Sequence, residues 1–356
     1  MVDVEIIGGG LAGWRAAEAA VESGCSVRLV ANGVGNSPHI HALNCPVSPE
    51  DSVELFVEDT MRSGHRTNDR ALVEVLCRGA VRLKDEFPFD RNADGSYQLL
   101  HTLGASVPRC VSIDHAIGAH ALEGIQRKLM GKVEIVEGRV TELDFTKART
   151  IVLATGGWCG KYDFTTNPPY LRGDGIEMAR RLGAAVIDED VVQYEPTVRV
   201  EGPKRGVPVI TTLLYKGAAL RTEEGREFLS DSHLNKDEMS REILAELRRS
   251  GAKGVWYDLS NVSEAALREC RMDPSERRIL VAPAPHTSLG GLRIDTQCRV
   301  LDRTGHPIPG LYAAGEVTGG IHGRNRLGGN AGTEVLVFGR IAGKSASMEA
   351  ERMKIW

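Results

Sequence analysis

A chain of 356 residues, 42% hydrophobic and 26% charged, is long enough to bury a large core and to divide into two domains. Its formal net charge of −4 offers no basic face to nucleic acid, and no run approaches the roughly 18 apolar residues that cross a bilayer. Seven scattered cysteines (Cys25, Cys45, Cys77, Cys110, Cys159, Cys270, Cys298) form no C-x-x-C, so no zinc, iron–sulfur or haem site is expected. Reduced thiols and an N-terminus without a leader pattern lead us to expect a cytoplasmic protein.

Residues 4–7 read as a short apolar strand, 11–23 as a helix stopped by Gly24, and 27–30 as a second strand. The stretch 31–50, containing Gly, Asn, Pro and His, is a loop. Helices are predicted over 51–63, 69–87 and 114–129, the last capped by Ser112 or Asp114. Residues 133–136 and 140–143 alternate as strands, and 151–154 form a buried strand ending at Thr155-Gly156-Gly157. A helix opens over 173–182. Between 191 and 270 the texture changes: short strands at 207–214 and 255–259 flank a charged helix over 236–249. Strands follow at 292–294, 299–301 and 310–314, then a glycine-crowded segment and a last helix near 335–350. This order predicts an α/β chain. A discontinuous Rossmann-like cofactor domain (1–190 and 276–356) is interrupted by an inserted α+β capping domain (191–275), with any reactive site expected at the seam.

Two segments carry the chemistry. Gly8-x-Gly10-x-x-Gly13, with Leu11 and Ala12 inside it, follows a strand and opens a helix. Those glycines allow a tight turn, close approach of a pyrophosphate, and close helix–strand packing at the positive end of a helix dipole. At the other end of the chain, LYAAGEVTGGIHGRNRLGGNAGTE (311–334) concentrates glycine, the residue that loses most backbone entropy on folding. Close approach of backbone to a ligand is the usual reason for such density. Together they imply a large nucleotide cofactor lying across one discontinuous domain. The second strand runs into Ala31-Asn32 without the acid that takes a nicotinamide dinucleotide ribose, which tilts the reading away from NAD.

Over nearly its whole length the chain resembles the flavoprotein superfamily of fumarate reductase, succinate dehydrogenase and L-aspartate oxidase. The residues that carry the likeness are GGGLAG (8–13), DSVELFVEDTMRSG (51–64), IVLATGG (151–157), GDGIEMARRLGA (173–184), HTSLGGLRID (286–295) and the 311–334 segment. The resemblance implies a Rossmann-like FAD-binding domain with the cap inserted, and FAD as cofactor. Gly8, Gly10 and Gly13 would face the pyrophosphate and Glu316 the ribose or ribityl hydroxyls, with Leu11, Ala12 and Gly315 also against the cofactor. Asn32, Ala154, Thr155, Gly156, Asp174, Arg326, Gly329 and Asn330 would complete the cradle. It also puts His39 at the flavin-linking position of the membrane-complex members. Pro38 and Cys45-Pro46 depart from that pattern and favour a loop histidine beside non-covalent FAD.

In this superfamily a small carboxylate exchanges hydride with flavin N5 while cationic side chains clamp it. Arg326 matches the carboxylate-binding arginine and His286 the substrate-contacting histidine; His322 and Arg324 flank the same loop as Arg326. Other positions depart from the pattern. Glu195, in Gln193-Tyr194-Glu195-Pro196-Thr197, stands where a second carboxylate-binding histidine belongs, and a buried anion there repels a carboxylate unless it is protonated or paired. Leu214-Tyr215-Lys216-Gly217 lacks the relay arginine, and Lys236 falls on the proton-donating arginine once one inserted residue is allowed. Catalysis is therefore expected to rest on Arg326, His286, Lys236 and Glu195, with an exposed helix start as the competing role for Lys236. The dicarboxylate and amino-acid versions of the substrate are nearly tied, the second slightly favoured. A chain ending at Trp356 leads us to expect no respiratory-complex partner domain, so electrons would leave through O2, a soluble carrier or a partner protein. A non-catalytic flavin-binding partner or sensor is the alternative reading of the three altered positions.

Overall fold

The computed structural model describes residues 1–231 and 234–354. In chain order its main elements are β1 (Val2–Ile7), α1 (Leu11–Glu22), β2 (Val27–Ala31), α2 (Val53–Ser63), α3 (Arg70–Ala80), α4 (Ile117–Leu129), β3 (Glu134–Glu137), β4 (Ala148–Leu153) and α5 (Asp174–Arg181). Then come β5 (Val192–Arg199), β6 (Ala219–Arg221), α6 (Lys236–Ser250), β7 (Val255–Asp258), β8 (Arg278–Ser288), β9 (Arg299–Leu301), β10 (Pro307–Ala313) and α7 (Asn330–Lys354). They form two compact units: residues 1–161, 168–191 and 288–356, and residues 162–167 and 192–287.

The first unit is built on a six-stranded sheet ordered β9-β10-β4-β1-β2-β3. β1 pairs in parallel with both β2 and β4, and β4 in parallel with β10; β9 joins antiparallel. Central strands covered on both faces need apolar side chains throughout, and Val4, Ile6, Ile151, Val152 and Leu153 are fully buried. Helix α1 packs along α7 through small residues: a Cβ at Gly339 would stand 2.6 Å from Ala12 O, and one at Gly343 would collide with Ala16 O. Because β1, β4 and β10 run parallel, the loops after them emerge at one edge of the sheet. That carboxyl-end crevice is where α/β sheets take their ligands.

Some sequence expectations fail here for identifiable reasons. Residues 140–143 form no strand: they alternate, but no neighbouring strand offers them a ladder. Helix α4 begins only at Ile117 because Asp114 and His115 adopt left-handed backbone (φ +47° and +50°), so neither Ser112 nor Asp114 caps it. The Ser112 hydroxyl donates instead to His41 O. Where a true cap exists it lies just before the helix proper: Ser52 Oγ accepts from Leu55 N–H for α2, and Asp69 from Ala71 N–H for α3.

The second unit is a four-stranded sheet ordered β5-β8-β7-β6, antiparallel at β7–β8 and β6–β7, with α6 packed on β5. It takes in 276–287 because β8 completes this sheet, and 162–167 because Thr165 Oγ1 and Asn167 Nδ2 donate to Pro285 O (2.9 Å) and His286 O (2.8 Å). Residues 207–214 are not a strand. Pro208 removes a donor, and Thr211–Lys216 wind into a 3-10 turn that buries Leu213 and Leu214 before Gly217 (φ +101°).

Candidate functional site

The loop between β1 and α1 is shaped for a phosphate group. Gly8 has φ +131°, and a Cβ there would collide with Ala154 O; a Cβ at Gly13 would collide with Gly8 O. The first contact lets the loops after β1 and β4 touch, and the second seats α1 against β1. Gly10 is the N-cap residue, with no side chain to cover the first turn of this twelve-residue helix. Ser37 Oγ accepts from Leu11 N–H at 2.7 Å, holding the 31–40 loop over the helix start. Ala154 is buried beside them. The Thr155 hydroxyl oxygen is closed off from solvent with no hydrogen-bond partner among the described residues. That hydroxyl faces Gly175 in the first turn of α5, where a Cβ would collide with it; the part of the loop that fits a phosphate is the glycine-lined start of α1.

The glycine-crowded segment adds a buried polar cluster in the same unit. Glu316 Oε1 accepts from Ser288 N–H (2.9 Å) and Ser288 Oγ (3.0 Å), tucked against Gly157, where a Cβ would collide with both side chains. Burial pushes the Glu316 carboxyl up to about 7; the Ser288 bonds oppose the shift, the Glu334 charge adds to it, and Arg326 lowers it. A carboxyl of this kind serves as donor or acceptor near neutral pH, which suits a hydroxyl-bearing ligand. His322 and Glu334 are both buried and bonded (Nε2···Oε2 2.9 Å), and Thr318 Oγ1 reaches Gly315 O. Arg326 is also buried, with Nη1 3.5 Å from Leu327 O, whereas Arg324 is exposed.

Behind Arg326 the turn Gly328-Gly329-Asn330 is tied down by side chains far away in sequence. Asn44 Nδ2 donates to Gly328 O (2.7 Å) and Asn330 Oδ1 (2.6 Å), and Asn330 Nδ2 to Thr60 Oγ1 on α2 (3.2 Å). Helix α2 is fixed in turn by Arg109, fully buried, which forks onto Asp51 (2.9 Å twice) and reaches Asp59 (2.7 Å). Sequence reasoning missed this scaffold, along with Ser37 and Ser288. Asp51, Asp59, Thr60 and Ser288 lie inside motifs that carry the resemblance, so a signal existed for them. Ser37 and Asn44 lie in the stretch aligned around His39, where the signal pointed to the histidine instead; Arg109 stands in a segment with no such signal.

Three other predicted positions lie nearer the surface. Asn32 and His39 are exposed, His39 at the end of a 3-10 turn (Ser37–His39). Asp174 starts α5 and makes a fork-to-fork pair with Arg139 (2.7 and 2.9 Å).

In the second unit Glu195, Lys236 and His286 converge. Glu195, on β5, is buried and ion-paired to Lys236; its Oε2 lies 3.9 Å from His286 Nε2. Thr166 Oγ1 holds the other ring nitrogen at 2.7 Å. Lys236 is the first residue of α6, where Asn235 and Glu238 form a capping box that fixes the backbone from which its side chain leaves. The anion that would repel a carboxylate is therefore paired, and Lys236 is no solvated helix start: its side chain is 20% exposed. Leu214 is buried as part of the 3-10 turn.

Comparison with known proteins places this geometry. Residues 3–119 and 120–331 match the profile of the FAD binding domain. One subunit of the fumarate reductase (CoM/CoB) of Methanothermobacter marburgensis is 31% identical, over 98% of this chain and 73% of its own length. The L-aspartate oxidase of Caulobacter vibrioides is 29% identical, over 97% and 76%. The solved open conformation of a flavocytochrome c3 fumarate reductase is similar at a TM-score of 0.78 and 26% identity, covering 98% of this chain and 78% of that one.

Proposed function

This chain belongs to the FAD binding domain family and is an FAD-dependent oxidoreductase of the fumarate reductase and L-aspartate oxidase type; from that premise we propose that it oxidises or reduces a small carboxylate that also bears an amino group. Bound FAD supplies a two-electron hydride acceptor or donor. In this reading Arg326 keeps the carboxylate-binding role that the resemblance implies for it, its planar fork matching two oxygens. His286, held by Thr166, orients the substrate. Glu195 accepts from the amino nitrogen, and Lys236 exchanges the proton that accompanies hydride movement.

The observation that carries the reading is the Glu195–Lys236 pair. A cationic histidine would select a second carboxylate; a carboxylate at the same position selects a cation, and an entering ammonium replaces the lysine on it. The test is anaerobic mixing of the FAD-loaded protein with C4 dicarboxylates and their α-amino counterparts, followed by the visible flavin spectrum. Bleaching by the amino acids is expected. Arg326→Ala should weaken carboxylate binding at least several-fold and leave FAD content intact. A spectrum unmoved by every member of the panel sinks the reading.

A further inference from the structure

In a dinucleotide fold the adenosine ribose lies at the carboxyl end of the second strand, where an Asp or Glu ordinarily takes its hydroxyls. Here β2 ends at Ala31, and Asn32-Gly33-Val34-Gly35-Asn36 supplies no acid. An aromatic side chain from a distant segment fills the place. Gly33 has φ +84°, and a Cβ on it would stand 2.6 Å from Tyr170 Oη. Gly35 N–H donates to that same oxygen at 3.1 Å, across 135 residues of sequence. No acceptor for the phenolic proton occurs among the described residues, and the side chain keeps 37% of its surface open.

The other side of this loop leans on the phosphate-binding turn. A Cβ at Gly9 would stand 2.6 Å from Gly33 O, and one at Gly10 would stand 3.1 Å from Ser37 Oγ. Tyr170 is also held from behind. Gly160 N–H donates to Leu171 O (2.9 Å), and the Leu171 side chain covers Gly156, where a Cβ would stand 3.2 Å away, in the loop after β4. Residues 168–171 thus strap the loop after β4 to the loop after β2. The phenol ends beside the loop that leans on the pyrophosphate turn, with a donor to spare.

We propose that Tyr170 is a cofactor-binding residue whose phenolic O–H donates to a ribose hydroxyl oxygen in the adenosine half of FAD, standing in for the missing acid. A neutral donor replaces a charged acceptor, so the gain per bond is that of an ordinary hydrogen bond. Removing it should weaken FAD binding about two- to tenfold. The test titrates apo-protein with FAD, FMN and ADP, read by flavin fluorescence and by ADP competition, in Tyr170→Phe and Tyr170→Ala. FMN lacks the adenosine half. FAD and ADP should both bind more weakly to Tyr170→Phe while FMN affinity and the apo-protein melting temperature stay at parental values. Unchanged FAD affinity in Tyr170→Phe overturns the assignment even if Tyr170→Ala is impaired. FMN weakened as much as FAD also overturns it, since the tyrosine would then be shaping the whole cradle.

Discussion

Taking one charge at a time from the Lys236–Glu195 pair tests the chemistry assigned to the second unit, and the two substitutions are not equivalent. The Glu195 side chain is 6% exposed and that of Lys236 20%. Lys236→Met strands a buried carboxylate, a loss of about 3–5 kcal/mol for a pair broken from one side. His286, its Nε2 3.9 Å from the stranded carboxylate, can turn an N–H toward it, which holds the figure to about 3. Glu195→Gln leaves an ammonium on a four-carbon stem that can extend to water, and should cost about 1–2 kcal/mol. The double variant carries neither charge and should fall within about 1 kcal/mol of the parent, a coupling of at least about 3 kcal/mol. Urea unfolding of the FAD-loaded protein gives the stabilities, and spectral titration with an amino-acid substrate gives the function. Glu195→Gln should lower amino-acid affinity about tenfold or more, the loss of a charge-assisted bond. If Lys236→Met is no more damaging than Glu195→Gln, or the double variant is as unstable as Lys236→Met, the buried-pair argument is wrong.

Three further outcomes are expected. Because the Glu316 carboxyl is raised from 4.5 to about 7 in the fold, its contribution to stability is full below about pH 4.5 and is lost as pH rises through 7. Apo-protein should therefore lose up to about 2.5 kcal/mol between pH 5 and pH 8 that Glu316→Gln does not lose, and parallel pH profiles in denaturant would contradict it. Gly13→Val places side-chain atoms on Gly8 O, so it should abolish FAD retention on gel filtration; a yellow, correctly folded variant would refute the close-packing account. Asn44→Ala strands Asn330 Oδ1 and leaves Gly328 O with the longer Thr102 Oγ1 bond, which should lower stability by about 1–3 kcal/mol and weaken substrate binding through the Arg326 turn. Stability lost with substrate affinity unchanged would show that the turn does not depend on Asn44.

What could be read from the residues alone was local. Gly8–Gly13 between a strand and a helix is a contiguous pattern whose spacing already contains its chemistry, and the same holds for Thr155-Gly156 at the end of β4. The apolar runs of β1, β4 and β10 announce strands covered on both faces. Pattern alone misled where a partner was required: residues 140–143 alternate like a strand yet have none to pair with, and 207–214 meet Pro208 and coil.

Composition and order along the chain were enough to determine an α/β cofactor domain gripped from both ends of the sequence, since helix and strand periods and glycine turns act over a few residues. Tertiary structure alone decided which charges meet. Lys236 finds Glu195 across 41 residues, Ser288 finds Glu316 across 28, and Tyr170 reaches Gly35 across 135. Whether a buried carboxylate is a liability, a substrate anchor or a raised acid depends on what chain folding brings within about 3 Å of it, because electrostatic and hydrogen-bond energies fall off over that distance while sequence separation carries no such scale.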